Sequence, residues 1–442
     1  MNNAIKLVFF GNLFLIFFIV VFTLFYPYIG TDGGYYLAIG RDYFQDGINL
    51  YTIANGYNPL GILIYSFPYL FAANPYFFSV LILIIIHFSN SVLFYLILNK
   101  TQVEQKLKFF VTSVFLLYSF LLDGTLIILE PIQLFFAFGS ILFLLNKKLF
   151  FAGFFVFLSF YSKQYSLVLL PAFLFFLLKE EGNFKKMFLL FLGFFFGIGL
   201  VFLFFAKGCS VDYFLMRLMG KDTFMPSSVQ ATGAGYSFVV FVKNSLDIAK
   251  FFPLLFLWFA FFKVKKIIHE KLFFILLFFS FCLVFYFAAY MHYYLLIMPW
   301  ALILFSQFYE KSNIKINESI FLFFVLFSFI MSGLYSYKVI KNRIISFDKE
   351  TELSLFLNSK IEKNSNVFLD GVSIPQYIYS EYKSANHRLI GYSFPNSLPG
   401  KYFMDNIKKG SYIIKGKSPS VYNQFVFDKV YQDRTLTILK KK

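Results

Sequence analysis

Asp32 is the first residue of the chain whose type and position suggest chemistry. It follows a long apolar run by only a few residues, and an acid at membrane depth is costly unless it is paired or faces a wet cavity. It is therefore a candidate for a functional role. The alternative is structural, because an Asp before an apolar periodic segment is a good helix N-cap. Two acids further along, Asp42 and Asp46, are predicted to lie on a solvated face.

Glu130 and Lys163 each interrupt a long apolar sequence. Glu130 precedes Pro131, so it suits either the first turn of a helix or a functional role. Lys163 is the only charged residue in 149–178, and Gln164 follows it. A lysine in this setting either snorkels toward the membrane interface or holds an anion.

His292 stands beside Tyr293 at a third interruption. A lone histidine is usually a satisfied structural residue, and a contact with substrate is the alternative here. The two cysteines, Cys209 and Cys282, show neither a disulfide framework nor metal-ligand spacing. No metal-ligand motif is visible, so the cofactor is unknown and a requirement for a divalent metal stays open.

The composition requires lipid as the solvent for much of the chain. Hydrophobic residues make up 59% and charged residues 14%, whereas soluble domains carry about 25% charged residues. Most of the 71 phenylalanines are predicted to face lipid. The formal charge of +17 is assigned to basic cytoplasmic loops, so no nucleic-acid partner is expected.

The apolar runs predict about eleven transmembrane helices. The first run contains no small-residue cleavage site and is interpreted as a retained span. The runs are 7–28, 76–98, 109–122, 131–145, 149–161, 165–178, 187–206, 251–262, 272–290, 294–309 and 319–337. Within the run 187–206, Gly193 and Gly197 form a GxxxG pattern, which predicts close helix packing.

Basic clusters between these runs predict the sidedness of the chain. Lys and Arg concentrate in cytoplasmic loops, so an apolar stretch with basic flanks at both ends must go out and return. Three stretches do this, namely 109–146, 149–178 and 272–309. The polar residues at their tips are Asp123 and Glu130, then Lys163 and Gln164, then His292 with Tyr293. Asp32 and these tips are expected at the outer leaflet.

The parity of the spans places the tail outside the membrane. If 149–178 were instead one bent helix, the tail would lie inside. We divide the chain into a transmembrane domain, 1–337, and a soluble α/β domain, 338–442, which is predicted to be extracytoplasmic. In the tail, strands are predicted at 366–370 and 412–415, a helix at 376–382 and a hairpin at 428–442.

The first outer loop, 29–75, is too apolar and aromatic to be a free loop. Residues 35–44 predict a short amphipathic helix at the membrane interface, where Tyr side chains are favoured. Pro59, with Asn58 before it, predicts the start of a second short helix.

This pattern resembles the GT-C superfamily of membrane glycosyltransferases, in particular its bacterial branch of aminoarabinose transferases and protein O-mannosyltransferases. The resemblance spans nearly the whole chain and is most specific in the first outer loop. The family's paired acid after the first Asp is absent, and its double proline is Asn58–Pro59 here. The matching segments are Asp32, Tyr35–Tyr36, 38–47, Leu50–Tyr51, Asn58–Pro59–Leu60, Glu130–Pro131, 162–164 with Pro171, and His292–Tyr293 with Pro299.

The resemblance implies a polytopic α-helical membrane protein with a GT-C-like fold in the bacterial cytoplasmic membrane. The implied reaction moves a sugar from a polyprenyl-phosphate donor to a glycan, lipid or protein acceptor at the outer face, with Asp32 as general base. Lys163 is implied as the first donor-phosphate ligand, with Arg41 second and His292 third. The implied substrate contacts are Glu130, Gln164, Tyr35, Tyr36, Tyr293 and Asn58. For Glu130 the alternatives are that it orients the acceptor or that it pairs with Lys163.

Two other functions compete with this one. A transporter or flippase of lipid-linked sugars often shows inverted repeats and broken helices at the bilayer midplane, and neither is visible here. A lipid-linked polysaccharide polymerase or ligase usually has its large outer loop late in the chain, whereas here it comes first. Both features favour the transferase.

Overall fold

A computed structural model describes most of the chain. The described residues are 2–47, 59–72, 74–101, 103–178, 183–205, 242, 245–246, 269–288, 291–311, 318–363, 365–370, 383–384, 412–415, 427–432 and 436–441. The chain divides into two compact units. The first comprises Met1–Phe25, Gly56–Gly61 and Leu81–Lys341, and the second comprises Tyr26–Asn55, Ile62–Val80 and Asn342–Lys442.

Helices dominate the described residues, and each apolar run predicted within those residues contains one. The predicted run 251–262 lies outside the described residues. The helices are α1 (Asn2–Phe25), α2 (Gly30–Asp46), α3 (Pro59–Ser66), α4 (Pro75–Asn99), α5 (Gln105–Leu121), α6 (Glu130–Leu145), α7 (Leu149–Ser162), α8 (Leu169–Leu178), α9 (Asn183–Phe205), α10 (His269–Ala288), α11 (Tyr294–Lys311) and α12 (Glu318–Lys360).

Three of the described helices contain segments that are long and apolar enough to cross a membrane, namely Lys6–Phe25, Pro75–Asn99 and Phe184–Leu203. Shorter apolar helical segments, of 10 to 17 residues, include Glu130–Leu145, Leu149–Ser162 and Tyr294–Gln307. Several phenylalanines of α1 and α9 point outward, among them Phe10, Phe14 and Phe184, which agrees with the prediction that such residues face lipid.

Helices α7 and α9 pack backbone to backbone at two glycines. A methyl group at Gly153 would collide with the carbonyl oxygen of Leu190, and one at Gly193 would collide with that of Phe150. A methyl group at Gly197 would meet the ring of Phe157. The GxxxG pattern therefore acts as a packing surface, as predicted, because only glycine lets the two helices approach so closely.

The stretch 149–178 is broken at Lys163. The backbone of Lys163 is extended, with φ −158° and ψ 133°, and a short 3-10 helix follows at Gln164–Val168. Ser166 of that turn meets Ser159 near the end of α7, and their hydroxyls form a hydrogen bond. The stretch is therefore two helices joined by a turn and not one bent helix.

Helix α12 continues well past the expected end of the last span at residue 337. Its 43 residues run from the apolar segment into a charged one without interruption. The chain has no Gly or Pro between Gly333 and Gly371, so no helix-breaking residue stops the helix at the predicted boundary.

A five-stranded sheet forms near the end of the second unit, from β1 (Asn366–Asp370), β2 (Lys383–Ser384), β3 (Tyr412–Lys415), β4 (Phe427–Gln432) and β5 (Thr437–Lys441). The strand order is β2-β1-β3-β5-β4, with β1 parallel to β2 and β3, and with β5 antiparallel to β3 and β4. Strands β1 and β3 have the predicted bounds, and β4 with β5 forms the predicted hairpin. The helix predicted at 376–382 lies outside the described residues.

Candidate active site

Glu130, Lys163 and His292 meet in the first unit. Glu130 opens α6, Lys163 follows the last residue of α7, and His292 lies in the 3-10 turn Met291–Tyr293 before α11. The Lys163 ammonium donates to Oε1 of Glu130, and Nε2 of His292 lies 3.6 Å from the same oxygen. Side chains from all three predicted hairpin tips are therefore neighbours.

This cluster is shielded from solvent. The Glu130 side chain is 0% exposed and the Lys163 side chain is 9% exposed, so the two charges attract through a medium that screens them weakly. The geometry contradicts one of the two sequence interpretations of the lysine. Lys163 does not snorkel; it is held inward by a carboxylate.

Asp123 provides a second carboxylate near His292. Its Oδ2 lies 3.8 Å from Nδ1 of His292, and its carboxylate is 39% exposed. Asp123 has a left-handed backbone, with φ 60°, in the turn after α5, a conformation that Asp tolerates better than most residues. His292 thus lies between two carboxylates. Sequence reasoning placed Asp123 at a hairpin tip but did not include it among the site residues.

Two tyrosines surround the Lys163 ammonium. Nζ lies 4.7 Å from the ring centroid of Tyr293 and 5.5 Å from that of Tyr165, within the range of a cation–π interaction. The two hydroxyls lie 3.2 Å apart. Tyr165 was missed from the sequence, where one tyrosine among 31 carries little signal, although it follows Lys163 by two residues.

Gln133 holds the turns around the cluster together. Its side-chain amide donates to the hydroxyl of Ser166 at 2.7 Å, and its backbone carbonyl accepts from the hydroxyl of Ser159 at 2.7 Å. Among the described residues, neither Oε2 of Glu130 nor Oε1 of Gln133 has a hydrogen-bond partner. Both atoms are buried acceptors, and such atoms normally have a donor. Gln164, beside Lys163, is also buried.

Asp32 lies in the second unit, in the first turn of α2. The helix begins at Gly30 and its N-cap is Ile29, so the N-cap interpretation of Asp32 is wrong. A carboxylate in the first turn still benefits from the helix dipole. Unlike the residues that follow it, Asp32 is exposed.

Asp42 is buried, and the prediction that it lies on a solvated face is wrong. Its side chain is 0% exposed, and Arg41 lies 3.3 Å away, with both Nε and a terminal nitrogen near Oδ1. The face of α2 that we expected to meet water packs inside the second unit, against the 3-10 turn Phe67–Leu70. The Arg41 guanidinium, expected to hold phosphate, neutralises this buried acid.

Tyr35 and Tyr36 are also core residues of α2, 6% and 2% exposed. Stacking on a sugar needs an open ring face, which a tyrosine buried to this extent does not offer, so that expectation is corrected. The carbonyl of Tyr36 accepts from the hydroxyl of Ser66. Asn58 and Leu50–Tyr51 lie outside the described residues, as does the side chain of Asp46.

No family model matches the sequence, and no curated protein matches it. Solved structures do match the fold. The apo crystal structure of ArnT from Cupriavidus metallidurans covers 93% of this chain and 93% of its own, with a TM-score of 0.58 at 11% identity. The same protein bound to undecaprenyl phosphate covers 97% of each chain, with a TM-score of 0.59 at 10% identity. The chain has a GT-C-like fold, similar to that of ArnT. This fold and the apolar helices indicate a polytopic helical membrane protein, as the apolar runs predict.

Proposed function

We propose that the protein transfers a sugar from a polyprenyl-phosphate-linked donor to an acceptor at the outer face of a bacterial cytoplasmic membrane. The observation that carries the proposal is the buried Lys163 ammonium, held by Glu130 beside His292. The GT-C fold supports it, and one structural neighbour, ArnT, is bound to undecaprenyl phosphate.

Lys163 is the proposed ligand of the donor phosphate, with His292 beside it. A buried cation favours an anion strongly, because little water competes for either charge. Tyr293 and Gln164 flank this position and are proposed to contact the donor through their polar atoms and not by stacking, since Tyr293 is only 6% exposed. Arg41, the second expected donor ligand, pairs with Asp42 as Lys163 pairs with Glu130, and it stays the second proposed ligand.

Asp32 is the proposed general base. The acceptor hydroxyl attacks the anomeric carbon from the face opposite the phosphate, and Asp32 accepts its proton. The bond from that carbon to the phosphate oxygen breaks, and its electron pair leaves with the polyprenyl phosphate. Lys163 stabilises the negative charge that develops on this leaving group. Proton transfer to a positioned base typically contributes about 10²–10⁴-fold to rate.

The proposal is tested on purified protein in proteoliposomes. A panel of polyprenyl-phosphate sugars is added with glycan, lipid and protein acceptors, and two products are followed, namely free polyprenyl phosphate and donor that has changed leaflet. We expect at least one donor to release polyprenyl phosphate in an acceptor-dependent way. Movement of donor between leaflets without release would indicate the rival flippase and contradict the transferase.

A further inference from the structure

The described residues of the Lys163 cluster include two carboxylates, those of Glu130 and Asp123, and the ammonium of Lys163. Glu130 faces Lys163 from α6, His292 faces Glu130 from the turn before α11, and Asp123 faces His292 from the turn after α5. Tyr165 and Tyr293 complete the described ring around the ammonium. With a neutral histidine, two carboxylates stand against one ammonium.

We propose that donor binding at Lys163 is coupled to the uptake of one proton, which His292 holds between Glu130 and Asp123. The inference rests on the proposed function, since it takes Lys163 as the phosphate ligand. It adds a regulatory property of that site, namely that the donor binds more tightly at lower pH.

Phosphate must compete with Glu130 for the lysine. The Glu130 side chain is 0% exposed, and its Oε2 has no hydrogen-bond partner among the described residues. If a phosphate takes over the Lys163 ammonium, the carboxylate stays buried with its main positive partner shared or lost. A buried charge without compensation is strongly unfavourable. Donor binding therefore requires a new positive charge near Glu130.

Within the described part of this cluster, His292 is the group that can supply such a charge near neutral pH. Its Nε2 lies 3.6 Å from Glu130 and its Nδ1 lies 3.8 Å from Asp123. A neutral imidazole carries one N–H and can donate to one of these carboxylates. A protonated imidazole carries two and can donate to both. The position between two acids thus suits the charged form.

Linkage sets the size of the effect. If binding takes up one proton, the Kd of the donor rises about tenfold for each pH unit, as long as His292 is neutral in the free protein and protonated in the complex. The probe must have a fixed charge, because a phosphate monoester titrates near pH 6 itself. Undecaprenyl methyl phosphate is such a probe, a diester with a single negative charge.

The test is calorimetry of full-length protein in lipid nanodiscs at pH 8, in two buffers of different ionisation enthalpy. We expect uptake of about one proton per probe bound, and a Kd that rises with pH. Binding without proton uptake and with a pH-independent Kd would overturn the inference. Undecaprenol, which lacks the phosphate, is the control ligand.

Two variants test whether His292 is the group that takes up the proton. His292→Gln is expected to bind the probe more weakly, without proton uptake and without pH dependence. Glu130→Gln removes the buried negative charge, so uptake should fall sharply. Full uptake in His292→Gln would overturn the assignment to this histidine. Wild-type protein that binds neither the probe nor undecaprenyl phosphate more tightly than undecaprenol would contradict the proposed function itself. The wild-type calorimetry needs no variant and so does not depend on how the substitutions fold.

Discussion

The ammonium of Lys163 is bonded to the carboxylate of Glu130, 33 residues earlier in the chain, and the acid is fully buried. The pair joins the start of α6 to the end of α7. The pair therefore holds a cation at a fixed position between two helices, whereas an exposed lysine side chain would be flexible.

Replacing Lys163 should weaken the use of the donor. A hydrogen bond to a charged group is worth about 1.5–3 kcal/mol, so Lys163→Met should raise the KM for the donor by roughly 10–100-fold and leave that for the acceptor nearly unchanged. Steady-state kinetics with each substrate varied in turn measures both values. An unchanged donor KM would contradict the role of Lys163.

The Lys163→Met variant also leaves the buried Glu130 carboxylate without its lysine partner. This effect on stability must be separated from the effect on donor binding. Breaking a buried ion pair costs about 3–5 kcal/mol of stability because the remaining charge is uncompensated. Lys163→Met/Glu130→Gln removes both charges and should recover much of the lost thermal stability. Donor use should stay impaired in this double variant. Recovery of both properties together would mean that the lysine is only structural.

Asp32→Asn should abolish most turnover without preventing membrane insertion or donor binding. The amide has nearly the same shape but cannot accept the proton at neutral pH, and we expect a loss of about 10²–10⁴-fold in kcat. Asp348→Asn, at an exposed position on α12, is the matched control and should behave like the wild type. Normal turnover by Asp32→Asn would exclude Asp32 as the base.

Arg343 is expected to position the segment that leads to Asp32. Its Nε donates to the carbonyl of Tyr26 at 2.6 Å, and Arg343 itself is 4% exposed. All three residues belong to the second unit. Arg343→Met should lower the free energy of unfolding by about 1–3 kcal/mol, because a partly buried carbonyl loses a hydrogen bond from a charged donor.

Arg343→Met should also lower kcat with little change in the donor KM, because Asp32, the proposed base, would be positioned less accurately. Thermal unfolding and kinetics are compared with Lys341→Ala, an exposed substitution on the same helix. If kcat is retained while stability falls, the arginine stabilises the fold without positioning Asp32.

Gly193→Ala should loosen the packing of α7 against α9. The added methyl group would collide with the carbonyl oxygen of Phe150, and overpacking of this kind typically costs about 1–3 kcal/mol. Gly199→Ala in the same helix is the control, because a methyl group there meets nothing within 4 Å. Unfolding temperatures in detergent compare the two variants. Equal temperatures would contradict the packing role.

Much of this fold could be predicted because its signals are local. The signals are apolar runs, their basic flanks and the polar interruptions at Glu130, Lys163 and His292. Each signal lies within a short segment of the sequence, and the described helices coincide with the apolar runs. The sequence predicted that these residues meet, because three hairpins that are expected to point outward would present their tips at the same surface. A pair between Glu130 and Lys163 was one of two alternatives for that acid, and the sequence could not decide between them, because the choice depends on side-chain packing between helices.

The errors arose where packing overrides a local pattern. Asp42 was predicted to be solvated, but its side chain is buried in the second unit, with Arg41 beside it. Tyr35 and Tyr36 were assigned to substrate by their type, and they are core residues. The continuation of α12 past residue 337 was missed because a change in composition does not stop a helix that lacks a breaker.

The sidedness of the Lys163 cluster can be tested by labelling. In a background with Cys209→Ser and Cys282→Ser, a cysteine is placed either at Asp123, in the turn after α5, or at Lys147, in the turn after α6. A membrane-impermeant maleimide added to intact spheroplasts should label the Asp123→Cys variant and not the Lys147→Cys variant. Labelling with the opposite preference would place the cluster in the cytoplasm.

The most direct measurement is the release of polyprenyl phosphate by purified protein supplied with polyprenyl-phosphate sugars and acceptor. We predict release that depends on both substrates, is nearly absent in Asp32→Asn and requires more donor in Lys163→Met. Donor that binds at the Lys163 cluster but is never cleaved, with any sugar or acceptor in the panel, would contradict the proposal that this protein is a glycosyltransferase.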